Sequence, residues 1–420
     1  MNKKVVLLVV LAIAVAGAAF GQVRFWWWGR AQITPYERHW DPGESGNQED
    51  GHMNSYLWWS RFGIVASQGG TIGLDAETAT MMTDTADNAS YLGNYWAGWA
   101  DFWSYSMWYK PANFLFIRVG KWNYVTEGSA WVVDFFDRTR YSVVGLGEDE
   151  FFTGYDNMVQ LTPGVVAGGA GLSPGALFEC YFGPLTLDLN FKSLDPTMSH
   201  LDYIKTMQVG IKYDLPGIGF FRLQAIGFDP DGEIKGNYLK VDQATSQIQF
   251  AANITGVPGM EFRVGAHYYL SESNTNYCDG LRDLYNFKVD KGAISVPMGF
   301  EITMFNPLTF RVVGNLQFGK DLAYGKDVTM YKVIGQVKYA FDYTVSGLLN
   351  VAAYNIGKAL RLKDGVEMIT DRDPVFDFGL GVQLNNIRGA AIQTGVVVQY
   401  HTAEKTQIGI AVPFIFDFGF

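Results

Sequence analysis

The 420-residue sequence predicts an all-β chain, a closed antiparallel transmembrane β-barrel of about eighteen strands, with roughly 16 to 20 as the range. Three observations carry this expectation. Apolar and polar residues alternate with a period of two over stretches of about 9 to 11 residues, the length at which a tilted strand crosses hydrocarbon. Short turns alternate with long polar loops. Composition disfavours long helices: 48% of residues are hydrophobic, yet mean hydropathy is only +0.01, because 48 glycines and scattered polar residues interrupt the apolar runs. Charged residues are 18% and aromatics 15%, a balance that suits strands better than helices or disorder.

The chain divides into residues 1–21 and 22–420. Lys3 and Lys4 precede an apolar core from Val5 to Ala16, and Ala19 and Gly21 flank Phe20 as a cleavage signal does, so residues 1–21 read as a secretory signal peptide cut near Gly21. Export follows, with the mature chain starting at Gln22. Loss of Lys3 and Lys4 takes the net charge from -10 to -12, which makes nucleic acid a poor partner. After Val5 to Phe20 no run is long and apolar enough to span as a helix.

Val23 begins the first candidate strand. Short turns are expected at Lys110 to Asn113, Gly183 to Pro184, Leu215 to Ile218, Gly256 to Gly259, Phe305 to Pro307, Asp342 to Tyr343 and Asn385 to Gly389, all rich in the residues that turns require. Loops are expected near 34–55, 79–93, 125–175, 194–203, 230–245, 272–293, 320–327, 356–374 and 402–404. A chain that begins and ends on one side crosses an even number of times, and this path needs a strand at Thr71 to Ala79 to satisfy that condition.

Two-residue periodicity assigns the faces. Phe262, Val264, Ala266 and Tyr268 suit lipid, whereas Glu261, Arg263, Gly265 and His267 suit water. Leu308, Phe310 and Val312 alternate with Thr309, Arg311 and Val313, and Met298, Phe300 and Ile302 with Gly299, Glu301 and Thr303. A one-residue slip would put Arg263 or Arg311 into hydrocarbon at roughly 2 to 4 kcal/mol each. The clearest strand is the last, where Ile408, Ile410, Val412, Phe414, Phe416, Phe418 and Phe420 share one face.

Here the chain resembles the outer-membrane β-barrel proteins of double-membraned bacteria and, more loosely, their porins. The likeness covers the mature chain. It is carried most specifically by Phe414, Phe416, Phe418 and Phe420, which are similar to that family's assembly signal. The resemblance implies the barrel-assembly machinery and outer-membrane lipid as partners, residence in the cell outer membrane, and a homotrimer as the ordinary assembly. It also implies that the long segment 125–175, counted as the third outer loop, folds into the lumen. Asp134, Asp137, Glu148, Asp149 and Glu150 would then line a constriction opposite Arg118, Arg222, Arg263 and Arg311, with Glu261 and Glu301 also lining the pore. The same acids read equally as a solvated outer face.

All twelve tryptophans lie at or before Trp131. Interfacial girdles account for many, but the segment Trp96 to Tyr109 has aromatics on both faces, so some face the lumen, where they stack on a ligand or pack beneath a loop. Enzymatic features are weak. Of the five histidines only His267 is mid-strand, with no Ser or Asp patterned beside it. Asp229, Asp231 and Glu233 lack the spacing of a calcium loop and read as a polar turn. Cys180 shares a face with Phe178 and Phe182, so it points to lipid, and Cys278 falls in a loop. The expectation is a non-enzymatic channel for small hydrophilic solutes or ions, without cofactor or metal. The alternatives are a sugar- or hydrophobe-selective transporter and a plugged surface or adhesin barrel.

Overall fold

The computed structural model describes residues 22–40, 55–84, 102–121, 175–191, 200, 203–204, 207–227, 247–270, 273–274, 288–289, 291–321, 326–354, 359–362, 365–368, 374–387, 390–401 and 407–419. Twenty strands of these residues form one sheet and two form another. In order they are β1 (Gln22–Trp40), β2 (Ser55–Gln68), β3 (Ile72–Asp84), β4 (Phe102–Ala112), β5 (Leu115–Lys121), β6 (Gly175–Phe182), β7 (Leu185–Phe191), β8 (Met207–Leu215), β9 (Gly219–Ile226), β10 (Gln247–Ile254) and β11 (Met260–Tyr269). Then come β12 (Ser273–Asn274), β13 (Lys288–Val289), β14 (Ile294–Ile302), β15 (Leu308–Asp321), β16 (Lys326–Ala340), β17 (Val345–Tyr354), β18 (Ala359–Leu362), β19 (Gly365–Met368), β20 (Val375–Ile387), β21 (Ala390–His401) and β22 (Gln407–Gly419).

Every pairing is antiparallel. Each strand from β1 to β11 pairs with the next, and the order continues through β14, β15, β16, β17, β20, β21 and β22. At the start of the order, β1 pairs with β2 along one edge and with β22 along the other. The alternation that predicts the strands also dictates the register. Phe178, Leu189, Val209, Ala225, Ile248, Tyr268, Ile294 and Phe318 are successive partners across eight strands. Asp188, Gly210, Gln224, Gln249 and His267 form such a row with the opposite parity.

The two rows have opposite environments. Large apolar side chains are exposed, among them Phe178, Phe250, Phe262, Leu349, Phe378 and Leu380, the last 69% exposed. The buried set is largely polar: Arg118, Asp188, Arg222, Gln224, Gln249, Arg263, His267, Asn350 and Asp377. A water-soluble domain has the reverse arrangement.

The strand needed near Thr71 is present as β3, extending to Asp84 and pairing with β2 and β4. Its turn, Gln68 to Thr71, is a further turn of the sheet. Gly69 and Gly70 both have positive φ, and the Thr71 N–H donates to the Gln68 carbonyl at 3.0 Å, a backbone path that favours glycine at both positions. Other boundaries shift. Lys110 and Pro111 lie in an irregularity of β4 between Tyr109 and Ala112, leaving Asn113 and Phe114 as the turn. The expected loop 356–374 contains the β18–β19 hairpin, and 272–293 contains the two-residue strands β12 and β13. The signal segment, residues 125–174 and Phe420 lie outside the described residues.

Candidate functional site

The buried polar face is where side chains meet other than by hydrophobic contact. Its parity comes from the strands themselves: in LTLDLNF (β7), Asp188 and Asn190 point opposite to Leu187 and Leu189. Each neighbouring strand then adds residues in line.

Four arginines organise this face. On β5, Arg118 donates from Nε to the Ser106 hydroxyl of β4 at 2.9 Å and from Nη2 to Asp75 of β3. On β9, Arg222 donates from Nη2 to Oδ1 of Asp188 on β7 at 3.0 Å, with Oδ2 of the same carboxylate at an ion-pair distance of 2.8 Å, and from Nε to Gln224 at 2.8 Å. Gln208 donates to the same Gln224 oxygen at 3.3 Å, and Gln224 donates to Gln249. Arg263 pairs with Glu261 two positions earlier on β11. Arg311 of β15 pairs with Glu301, its register partner on β14, and donates to Gln336 of β16 at 3.0 Å. Gln336 in turn donates to Asn350 of β17 at 3.1 Å.

Glu261 and Glu301 are direct cross-strand partners. Like charges placed so are unfavourable, and here each carboxylate has its own guanidinium, so the patch alternates in sign. Charge-assisted bonds of this kind are the strong ones. Each of the four arginines has a carboxylate partner within the sheet. The acidic loop set expected opposite them, Asp134, Asp137, Glu148, Asp149 and Glu150, lies outside the described residues.

Sequence reading singled out the arginines, Glu261 and Glu301 but passed over Asp75, Ser106, Asp188, Gln224, Gln336 and Asn350. The signal for these residues was parity on each strand combined with register between strands, and only the first of these is written in a single segment. His267 is on the same face, fully buried, one register step from Gln249. Among the described residues no group of three or more His, Cys, Asp or Glu could hold a metal ion. Cys180 is a free thiol on the apolar face, in register with Leu115 and Leu187.

Aromatics reach the polar side near the first turns. Trp26 lies over Gly63 and Trp108 over Gly73, so that a Cβ on either glycine would run into the indole ring. The glycines give the rings a flat seat. Trp108 and Phe116 have centroids 6.1 Å apart, and Lys110 Nζ is 5.8 Å from the first and 5.6 Å from the second, within cation–π range. The assembly-signal residues fall on the last strand: Phe414, Phe416 and Phe418 are register partners of Ile33, Ala31 and Gly29 on β1.

No family model matches the chain, and no curated protein sequence matches it. Solved bacterial porins do match in structure. A triple mutant of the Rhodopseudomonas blastica porin is 13% identical, with 94% of this chain and 100% of that chain covered and a TM-score of 0.42. Pseudomonas aeruginosa OpdQ is 9% identical, with 96% and 98% covered and a TM-score of 0.48. Pseudomonas aeruginosa OccK2 (OpdF) is 9% identical, with 95% and 98% covered and a TM-score of 0.49. These are likenesses of the chain as a whole, and the two faces of the wall carry the functional reading.

Proposed function

We propose that this chain is an exported outer-membrane β-barrel of about eighteen strands, closed by the β1–β22 pairing, and that its polar face encloses a water-filled channel for passive diffusion of small hydrophilic solutes or ions. The observation that carries this is the inverted wall: Leu380, Phe378 and Phe250 exposed, Arg222, Asp188 and Gln249 buried. In water such an apolar surface would forgo about 25 cal/mol for each Å² left exposed. In lipid it is the required outer surface. The first-to-last pairing supports closure for a separate reason, since an open edge in hydrocarbon would strand backbone donors and acceptors at several kcal/mol each.

Arg118, Arg222, Arg263, Arg311, Glu261 and Glu301 line the lumen in this reading. Their local pairing makes that stretch of wall polar without a large excess of either sign, which suits solutes selected by size and hydration more than by charge. In this reading Phe414, Phe416 and Phe418, carried by β22 in register with β1, form the assembly signal together with Phe420. A second reading is favoured by Trp108, Phe116 and Lys110: flat rings under a cation make a surface on which sugars or aromatic solutes can stack.

A liposome-swelling assay with neutral sugars of graded size tests the proposal. Swelling rates should fall smoothly with solute size. Selective passage of one sugar class would favour the stacking surface, and no swelling from vesicles holding folded protein would overturn the channel.

A further inference from the structure

The short turns carry an unexpected kind of residue. Turn tips in water are ordinarily polar, yet Phe114, Ile218, Val257, Phe305, Phe341 and Tyr343 stand at the tips joining β4–β5, β8–β9, β10–β11, β14–β15 and β16–β17, each half or more exposed. Tyr343 is 81% exposed. The β2–β3 turn differs, consisting of Gly69, Gly70 and Thr71, and the β6–β7 turn consists of Gly183 and Pro184.

Two further features accompany the apolar tips. Backbone donors are satisfied inside the turns: Ile218 N–H to the Leu215 carbonyl at 3.0 Å, Met260 to Val257 at 3.0 Å, Leu308 to Phe305 at 2.9 Å and Phe341 to Val345 at 3.0 Å. Poorly hydrated surroundings demand this; the β2–β3 turn is closed in the same way by Thr71 N–H to the Gln68 carbonyl at 3.0 Å, so the tips differ from it in side chains and not in backbone closure. The tip rings are also continuous with the apolar face of the wall. Phe305 meets Phe310 edge-on at 6.3 Å, and Phe341 meets Tyr339 at 5.1 Å. The apolar surface therefore does not stop where the ladder stops.

We propose that the short-turn rim from β4 to β17 is seated in the membrane interface. Its tips would lie at the boundary of headgroups and acyl chains in the leaflet on that side, while the β2–β3 turn stands in water. This rests on the barrel reading and adds to it an asymmetric depth of insertion. The occupant is lipid because the tips extend a surface that already faces lipid in that reading, and because aromatic and aliphatic side chains without a cluster of charge match the interfacial zone.

The test uses the full mature chain with Cys180→Ala and Cys278→Ser, carrying one cysteine at a time: Tyr343→Cys, Val257→Cys, Thr71→Cys and Leu380→Cys. Each is labelled with an environment-sensitive fluorophore in phosphatidylcholine vesicles, with iodide on both sides or with nitroxide lipids as quencher. Tyr343→Cys and Val257→Cys should be quenched by the lipid nitroxide and roughly threefold less by iodide than Thr71→Cys. Iodide quenching equal to that of Thr71→Cys would overturn the proposal, leaving the tips in water as a surface for a protein partner. Leu380→Cys separates the two readings, because its failure to be quenched by lipid would remove the barrel itself.

Discussion

Arg222 reaches Asp188 across a whole strand: the first is on β9, the second on β7, and the pair closes at 2.8 Å over Gly210 of β8. A Cβ at Gly210 would meet both the Asp188 carboxylate and the Arg222 guanidinium. The glycine is thus the gap through which the pair forms, tying three strands together on the polar face.

Breaking that pair from one side should be costly. Arg222→Met leaves Asp188 buried and is expected to destabilise by about 3 to 5 kcal/mol, whereas Arg222→Met with Asp188→Leu should cost much less. Gly210→Val should resemble the single variant. Urea unfolding of vesicle-inserted protein, followed by tryptophan emission, gives the comparison. Equal stability of wild type and Arg222→Met would refute it.

Among the described residues, several charges on the polar face are committed to local pairs. Arg118, Arg222, Arg263, Arg311 and Lys212 each have a carboxylate partner, but Lys338, between Thr309 and Leu348 in the register, has no ion pair among the described residues. If this face lines the channel, Lys338→Gln should lower the chloride-to-potassium permeability ratio by roughly twofold. Reversal potentials in a salt gradient measure it, and an unchanged potential counts against Lys338 facing the solute path. Replacing Asp134 and Asp137 together tests the long loop in the same apparatus.

Asp342 sits in the β16–β17 turn outside the strands. Its Oδ1 accepts from the Thr344 hydroxyl and N–H, each at 2.6 Å, and from the Val345 N–H at 2.8 Å. The Thr344 hydroxyl, followed by the two backbone donors, holds the carboxyl below its ordinary value of 3.8. Its folded pKa lies below the unfolded one, so the stabilisation is present above the unfolded pKa and is lost as pH falls through the folded value. Wild type should therefore lose stability below about pH 4 more steeply than Asp342→Asn. Parallel acid-unfolding curves would dismiss the effect.

Deleting Phe420 should reduce folded barrel in the outer membrane without reducing export, since Phe420 ends the two-residue spacing of Phe414, Phe416 and Phe418 in the sequence. Heat-modifiable mobility on gels, read against total exported chain, decides this. Undiminished folded protein would contradict the assembly role.

How much of this was legible beforehand depends on the range of the interaction. The faces of β11 could be read directly, because parity alone separates Arg263 and His267 from Phe262 and Tyr268. The need for a strand at Thr71 followed from counting crossings. The Asp188–Arg222 pair could not be read, because its members are 34 positions apart on strands that are not neighbours, and nothing near Gly210 announces that a side chain must be absent there. The Gly69–Gly70 turn was not among the expected turns, although adjacent glycines are what its two positive φ angles favour. The apolar turn tips were present in the sequence too, but exposure is a property of the assembled rim and has no local signature.

Single-channel recording in a planar lipid bilayer bears most directly on the central claim. Purified folded protein should produce stepwise, ohmic increases in current, each step one insertion, with a magnitude that scales with bulk conductivity as for a water-filled lumen. A bilayer that stays silent while insertion of folded protein is verified in the same membrane would contradict the account.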